Sequence, residues 1–147
     1  MSTIGIKRVY LAAEPADGFR VLVDRLWPRG LAKSRAAIDL WARDLAPSTE
    51  LRLWFGHDPG RWMEFQKRYR NELKTRPEAL IAFRKAVSGQ KTVTLLYAAV
   101  DEAHNQAVVL ARLLTRRESR LKPTSRGKTR VRGAGSPRGS GPRSDRK

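Results

Sequence analysis

The spacing of apolar positions changes several times along the chain, and each change marks an element. Residues 4–11 alternate imperfectly and are rich in β-branched and aromatic side chains, which predicts a strand. Lys7 and Arg8 place that strand at a sheet edge. A turn cluster, Glu14-Pro15-Ala16-Asp17-Gly18, separates it from residues 19–23. There Val21-Leu22-Val23 is apolar without alternation, as in a central strand covered on both faces. Pro28 and Gly30 prevent the strand from continuing far beyond Asp24 and Arg25.

Residues 34–45 fit two periods. Ile38, Trp41 and Leu45 share a helical face, whereas Ile38, Leu40 and Ala42 share a strand face, so a fourth strand fits 37–45 as well as a helix does. Ser48 is placed to cap a short helix over 49–55, which Gly56 ends. Asp58 and Pro59 read as the cap and first residue of the next helix, with Trp62, Phe65, Tyr69 and Leu73 on one stripe. After Pro77, Leu80, Phe83 and Val87 form another stripe, closed by Ser88-Gly89. Residues 92–100 predict a second buried strand, ended by Asp101. Asp101 then reads as the N-cap of a helix over about 103–121, with Ala107, Leu110, Ala111 and Leu114 inward.

Strands alternating with helices predict an α/β fold: a small single domain with a partly parallel central sheet flanked by helices. Composition adds a boundary. The chain has 147 residues, 31 Lys+Arg, 14 Asp+Glu and a net charge of +17. Residues 1–121 carry +9 of that charge and the last 26 residues carry +8. That last segment holds five Gly, four Ser and three Pro, with only Val131 and Ala134 aliphatic. It cannot bury enough apolar surface to offset its ordering entropy. The expected organisation is therefore a folded domain over 1–121 and a disordered basic tail over 122–147. The tail is either a solubilising segment or a nonspecific contact for nucleic acid through counterion release.

The absence of cysteine excludes disulfides, thiol nucleophiles and cysteine-ligated metal centres. No apolar run has the length of a signal peptide or a membrane span, so a cytoplasmic protein with no membrane partner is expected. There is no glycine-rich phosphate loop and no Gly-x-Ser-x-Gly elbow.

In open α/β sheets, ligands bind beyond the carboxyl ends of the strands. That rule selects Asp24-Arg25 and the segment from Tyr97 to Asn105. Parallel pairing of the two central strands would bring Asp24 and Asp101 to one rim. Asp24, Asp101, Tyr97 and His104 are the candidate catalytic groups for proton transfer. Arg25, Arg29 and Asn105 are candidate ligand-binding groups, because guanidinium grips anions bidentately. His57, Asp58 and His104 are candidate ligands for a divalent or iron-type metal ion, although no His-x-x-x-His spacing supports them. Each has a structural alternative. Asp24 could accept backbone N–H groups in a turn, and Arg25 and Arg29 could hold the Trp27-Pro28 loop. His104, read near the third helical position, could be a neutral imidazole in the positive field of the helix end or a solvent-facing side chain. His57 could bind the carbonyls of the preceding helix, and Asp58 could serve only as a cap.

Several segments together resemble a known family. They are Val23-Asp24-Arg25-Leu26-Trp27-Pro28-Arg29-Gly30, Asp39-Leu40-Trp41, Asp44-Leu45-Ala46-Pro47-Ser48, Trp54-Phe55-Gly56-His57-Asp58-Pro59, Phe65-Gln66-Lys67-Arg68-Tyr69, Thr94-Leu95-Leu96-Tyr97-Ala98-Ala99 and Asp101-Glu102-Ala103-His104-Asn105-Gln106-Ala107. Over about residues 4–117 they are similar to the domain of unknown function 488 family, closest to its YeaO-like branch. The resemblance implies a small cytoplasmic bacterial α/β domain and names no substrate. The polar residues of those motifs overlap the rim chosen from the strand ends, apart from His57 and Asp58.

Three functions follow as expectations. One is a domain binding a small anionic molecule or a metal ion at the rim, with an enzyme of unassigned class left open. Another is a nucleic-acid-associated protein acting through 122–147 and the basic segment 61–74. The last is a partner-binding module using the Trp-rich segment 41–62, which requires two or more exposed indoles.

Overall fold

The structure, a computed structural model, describes residues 2–124, with side chains through 115. The chain divides into two units, Met1–Leu113 and Leu114–Lys147. The first holds the sheet. Its strands are β1 (Thr3–Arg8), β2 (Phe19–Leu22), β3 (Leu40–Trp41) and β4 (Thr92–Tyr97). The helices are α1 (Lys33–Ala36), α2 (Thr49–Phe55), α3 (Trp62–Lys74), α4 (Pro77–Ala86) and α5 (Gln106–Thr124), the last running on into the second unit. Most of the tail expected over 122–147 therefore lies outside the described residues.

The sheet order is β1-β4-β2-β3, and all three pairings are parallel. The α/β reading holds, and "partly parallel" sharpens to wholly parallel. β1 is an edge strand, as Lys7 and Arg8 indicated. The ambiguous 34–45 segment splits between both of its readings, a four-residue α1 and a two-residue β3. β4 lies between β1 and β2, which is why Val93, Leu95 and Leu96 are wholly buried. Val21 and Leu22 of β2 are equally enclosed. Such strands need apolar side chains on both faces, and their sequences show no alternation for that reason.

Three expected ends move. β4 stops at Tyr97, and Val100 is 81% exposed in a loop. β1 stops at Arg8, where Leu11 N–H turns back to the Arg8 carbonyl. The last helix begins at Gln106 and not near residue 103. The Asp101 carboxylate does accept the N–H groups of Ala103 and His104, but those residues form a bend. Asn105 is the true cap: its Oδ1 accepts from the N–H groups of Ala107 and Val108 at 2.9 and 3.2 Å. His104 accordingly precedes the helix. Asp58 caps a short 3-10 turn, Pro59–Arg61, which leads into α3 at Trp62.

The α2–α3 pair is fixed by Glu72. Its two carboxylate oxygens accept from the Ser48 N–H at 2.8 Å and the Ser48 hydroxyl at 2.5 Å. Ser48 Oγ in turn accepts from Leu51 N–H, capping α2. The buried Tyr69 hydroxyl donates to the Leu45 carbonyl. These bonds hold α2 over the carboxyl end of the sheet, where Phe55 stacks on Phe65 at 4.3 Å.

Candidate functional site

The rim is built from a break in the β2–β4 ladder. Val23 N–H donates to the Leu96 carbonyl at 3.0 Å, continuing the parallel pattern one residue beyond β2. The next rung would run from Ala98 N–H to the Val23 carbonyl. Instead Ala98 N–H donates to Asp24 Oδ2 at 3.0 Å, and the Val23 carbonyl accepts from Gln106 Nε2 at 3.4 Å. Gln106 Nε2 also donates to Asp24 Oδ1. The Asp24 carboxylate thus replaces a main-chain rung and separates the two strands. The Asp24 carbonyl accepts from Trp41 Nε1 at 2.7 Å, so β3 holds the same residue from the other side.

A cavity of about 570 Å³ opens at this break. The segment from Asp24 to Arg29 forms one wall, and Ala98 to Val100 with His104 to Gln106 forms another. α2 closes it with Arg52 and Phe55, and His57 follows. Burial lifts the Asp24 carboxyl to about 6, against the lowering effects of the Ala98 and Gln106 hydrogen bonds and the Arg52 charge.

The cavity brings together Asp24, Arg25, Arg29, His57, His104 and Asn105 from the candidates read in the sequence. Arg25 Nε donates to the Pro47 carbonyl at 2.9 Å, which ties the loop after β2 to the start of α2. The guanidiniums of Arg29 and Arg52 make no hydrogen bond or ion pair among the described residues, although the Arg52 charge acts on Asp24. Asn105 is buried and spends its side chain on the α5 cap and on the Asp101 carbonyl. His104 Nδ1 lies 2.9 Å from Asp101 Oδ2. That bond, followed by the backbone N–H of Ala103, holds the Asp101 carboxyl below its ordinary range. The His104 ring also meets the edge of Trp62 at 5.2 Å.

Tyr97, Asp58 and Asp101 are not in the cavity wall. Tyr97 is buried beside Glu102, Arg8 and Asn105, and burial pushes its phenol up. Asp58 Oδ1 accepts from Gly60 N–H at 2.8 Å, and Oδ2 lies 3.7 Å from Arg61 Nε. Among the described residues no group of three or more His, Asp and Glu side chains is gathered closely enough to hold a metal ion.

His57 has φ of 57°, directly after Gly56 at 53°. A non-glycine residue in the left-handed region is uncommon, and here it places an imidazole on the cavity wall. Arg52 and Gln106 are the residues that motif reading missed. Gln106 stood inside a motif segment, but Arg52 carried no signal. None of the four tryptophans is fully exposed. Trp27 and Trp41 donate to the carbonyls of Leu31 and Asp24, and the Arg61 and Arg68 guanidiniums lie over the Trp54 ring. The condition set for a Trp-based partner surface is not met.

Fold and site together define a small wholly parallel α/β domain with an arginine-lined cavity at its strand ends. Comparison with known proteins narrows that class. A family model described as the inactive DUF488-N3 subclade matches residues 3–130. The uncharacterised protein Rv3073c of Mycobacterium tuberculosis is 42% identical over 114 residues, covering 78% of this chain and 95% of the relative. The uncharacterised protein YeaO of Escherichia coli is 42% identical over 109 residues, covering 74% and 93%. The chain belongs to the DUF488 family, among its YeaO-like members. No solved structure matches it.

Proposed function

We propose that this domain binds a small anionic molecule in the cavity at the β2–β4 break. The observation that carries this reading is the pair of unpartnered guanidiniums, Arg29 and Arg52, on one concave surface. Arg76 satisfies itself on Glu72 and on the carbonyls of Asp44 and Ala46, whereas Arg35 and Arg70 are, like Arg29 and Arg52, without a side-chain partner among the described residues but do not line the cavity. Two open guanidiniums lining one cavity of ligand size suit an oxyanion. Arg25 fixes the loop that presents Arg29. In this reading Asp24 and His104 shape the cavity, and Asp101 holds the His104 ring from outside it. The inactive label of the matched subclade supports binding without turnover. A cytoplasmic setting fits a metabolite-sized anion. Among the described residues no helix is long and apolar enough to cross a membrane.

An NMR titration with inorganic phosphate tests the proposal. Amide shifts are expected to concentrate at Gly30, Ala98, Ala99 and Gln106, and to weaken at least about tenfold in affinity in Arg52→Met. Shifts scattered over the basic face of α3, unaltered in that variant, would overturn it.

A further inference from the structure

Resting on the anion reading above, we propose that the ligand carries a flat apolar ring beside its anionic group: an aromatic phosphate monoester or carboxylate, not a bare inorganic ion. Volume is the first argument. About 570 Å³ is the size of a drug-like ligand site, and an inorganic phosphate occupies a small part of it. The rest would be water held against apolar walls.

The character of those walls is the second argument. Tyr10, Trp27, Phe55, His57, Phe65 and His104 give the cavity six aromatic side chains. Phe55 and Phe65 are buried at its base, while Tyr10 is 43% exposed at its mouth. Aromatic walls favour offset stacking or edge contacts with a planar guest.

The third argument is the lip. Leu26 and Val100 line the opening and are 62% and 81% exposed, among the most exposed large apolar side chains described. They stand on the two loops that leave β2 and β4. A ligand with its anion on Arg29 and Arg52 and its ring toward these loops would cover them. Cation and apolar lip share one cavity, so charge and ring are read together.

Titration calorimetry on the full chain tests this with two matched pairs: phenyl phosphate against inorganic phosphate, and benzoate against acetate. The pair that binds identifies the headgroup. Its ring-bearing member is expected to bind about tenfold tighter than its small partner, the gain of burying one ring face. Neutral benzyl alcohol is expected to bind at least about tenfold more weakly than that member. Leu26→Ser with Val100→Ser, both exposed and therefore compatible with folding, is expected to reduce the within-pair ratio to about threefold or less. Equal affinity within a pair overturns the ring subsite and leaves the anion reading standing. Binding by neither pair overturns the anion reading, and this inference with it.

Discussion

The two ends of β2 carry the same chemistry in opposite states. At the amino end, Arg20 is 4% exposed and fully engaged. It donates to Asp17 at 2.5 Å, to the Ala37 carbonyl at 3.0 Å and to the Ala36 carbonyl at 2.8 Å. Lys7 reaches the same carboxylate at 3.1 Å. At the carboxyl end, Asp24 is lodged between Ala98 and Gln106, and the arginines across the cavity are left open. An Asp with an Arg nearby is therefore no indicator of a site. What separates the two ends is whether the guanidinium has spent its donors. Buried charges are stable only when paired and hydrogen-bonded, so the amino end is a structural lock.

The largest expected effect breaks that lock. Arg20→Met leaves the buried Asp17 carboxylate with only Lys7 and the Glu14 N–H, and should cost about 3 kcal/mol of stability in chemical denaturation. Arg52→Met at the other end should cost under about 0.5 kcal/mol while weakening anion binding. If both arginines cost stability alike, the contrast between the ends is wrong.

Asp24 gives the next effect, and its sign is the reverse of a salt-bridged carboxylate. Its folded pKa, about 6, lies above the ordinary value of 3.8. The folded state therefore holds the proton more tightly than the unfolded chain. That contribution is complete below about 4 and is lost as pH rises through about 6. Above that, the ionised buried group costs on the order of 3 kcal/mol. Asp24→Asn can keep the Ala98 bond and, with the Gln106 amide turned over at the expense of its long bond to the Val23 carbonyl, the other bond too. It should match the parent near pH 4 and exceed it at pH 8, in denaturation curves taken across that range. An anion in the cavity should also bind more tightly as pH falls through about 6, because the carboxylate charge disappears. His57 and His104 line the same cavity, and the charge of Arg52 and the phenol of Tyr69 lie near Asp24. Asp24→Asn isolates the carboxylate: the part of the pH dependence that the variant loses belongs to Asp24, and the remainder includes the second ionisation of a phosphate ligand, at about 6.

This asymmetry was partly legible in the sequence. Strand cores declare themselves by uninterrupted apolar runs, and the strand-end rule led to Asp24 and Arg25. Strand ends were less readable. Ala98, Ala99 and Val100 continue the apolar run of β4, and only the Asp24 carboxylate in the ladder shows why the chain leaves the sheet. The start of α5 was obscured by two good capping residues, Asp101 and Asn105, four positions apart; the chain uses the later one for the helix. Arg52 had no signal because an arginine on a short amphipathic helix looks like any solvated charge. Arg68 has the same local appearance, yet it pairs with Glu64 at 2.9 Å and lies over Trp54. Only the tertiary placement of α2 over the β2–β4 break distinguishes Arg52. The charge of +17 did not locate the site either, since almost half of it falls in the last 26 residues.

The smallest expected effect sets one strained residue at each end against the other. Ala37 and His57 are the two non-glycine residues with positive φ among those described, at 48° and 57°. The left-handed turn at Ala37 aims its carbonyl at the Arg20 guanidinium. The one at His57 puts an imidazole on the cavity wall. Glycine at either position relieves the Cβ clash, offset in part by the greater freedom of the unfolded chain. Ala37→Gly and His57→Gly should each gain about 0.5 kcal/mol in denaturation. Their effects on binding should differ. Ala37→Gly should leave anion affinity as it was, because its strain serves only the lock. His57→Gly should lower that affinity by about threefold, because its strain positions a side chain at the ligand. Equal binding in the two variants would mean that the turn at His57, like the one at Ala37, is a matter of chain geometry alone.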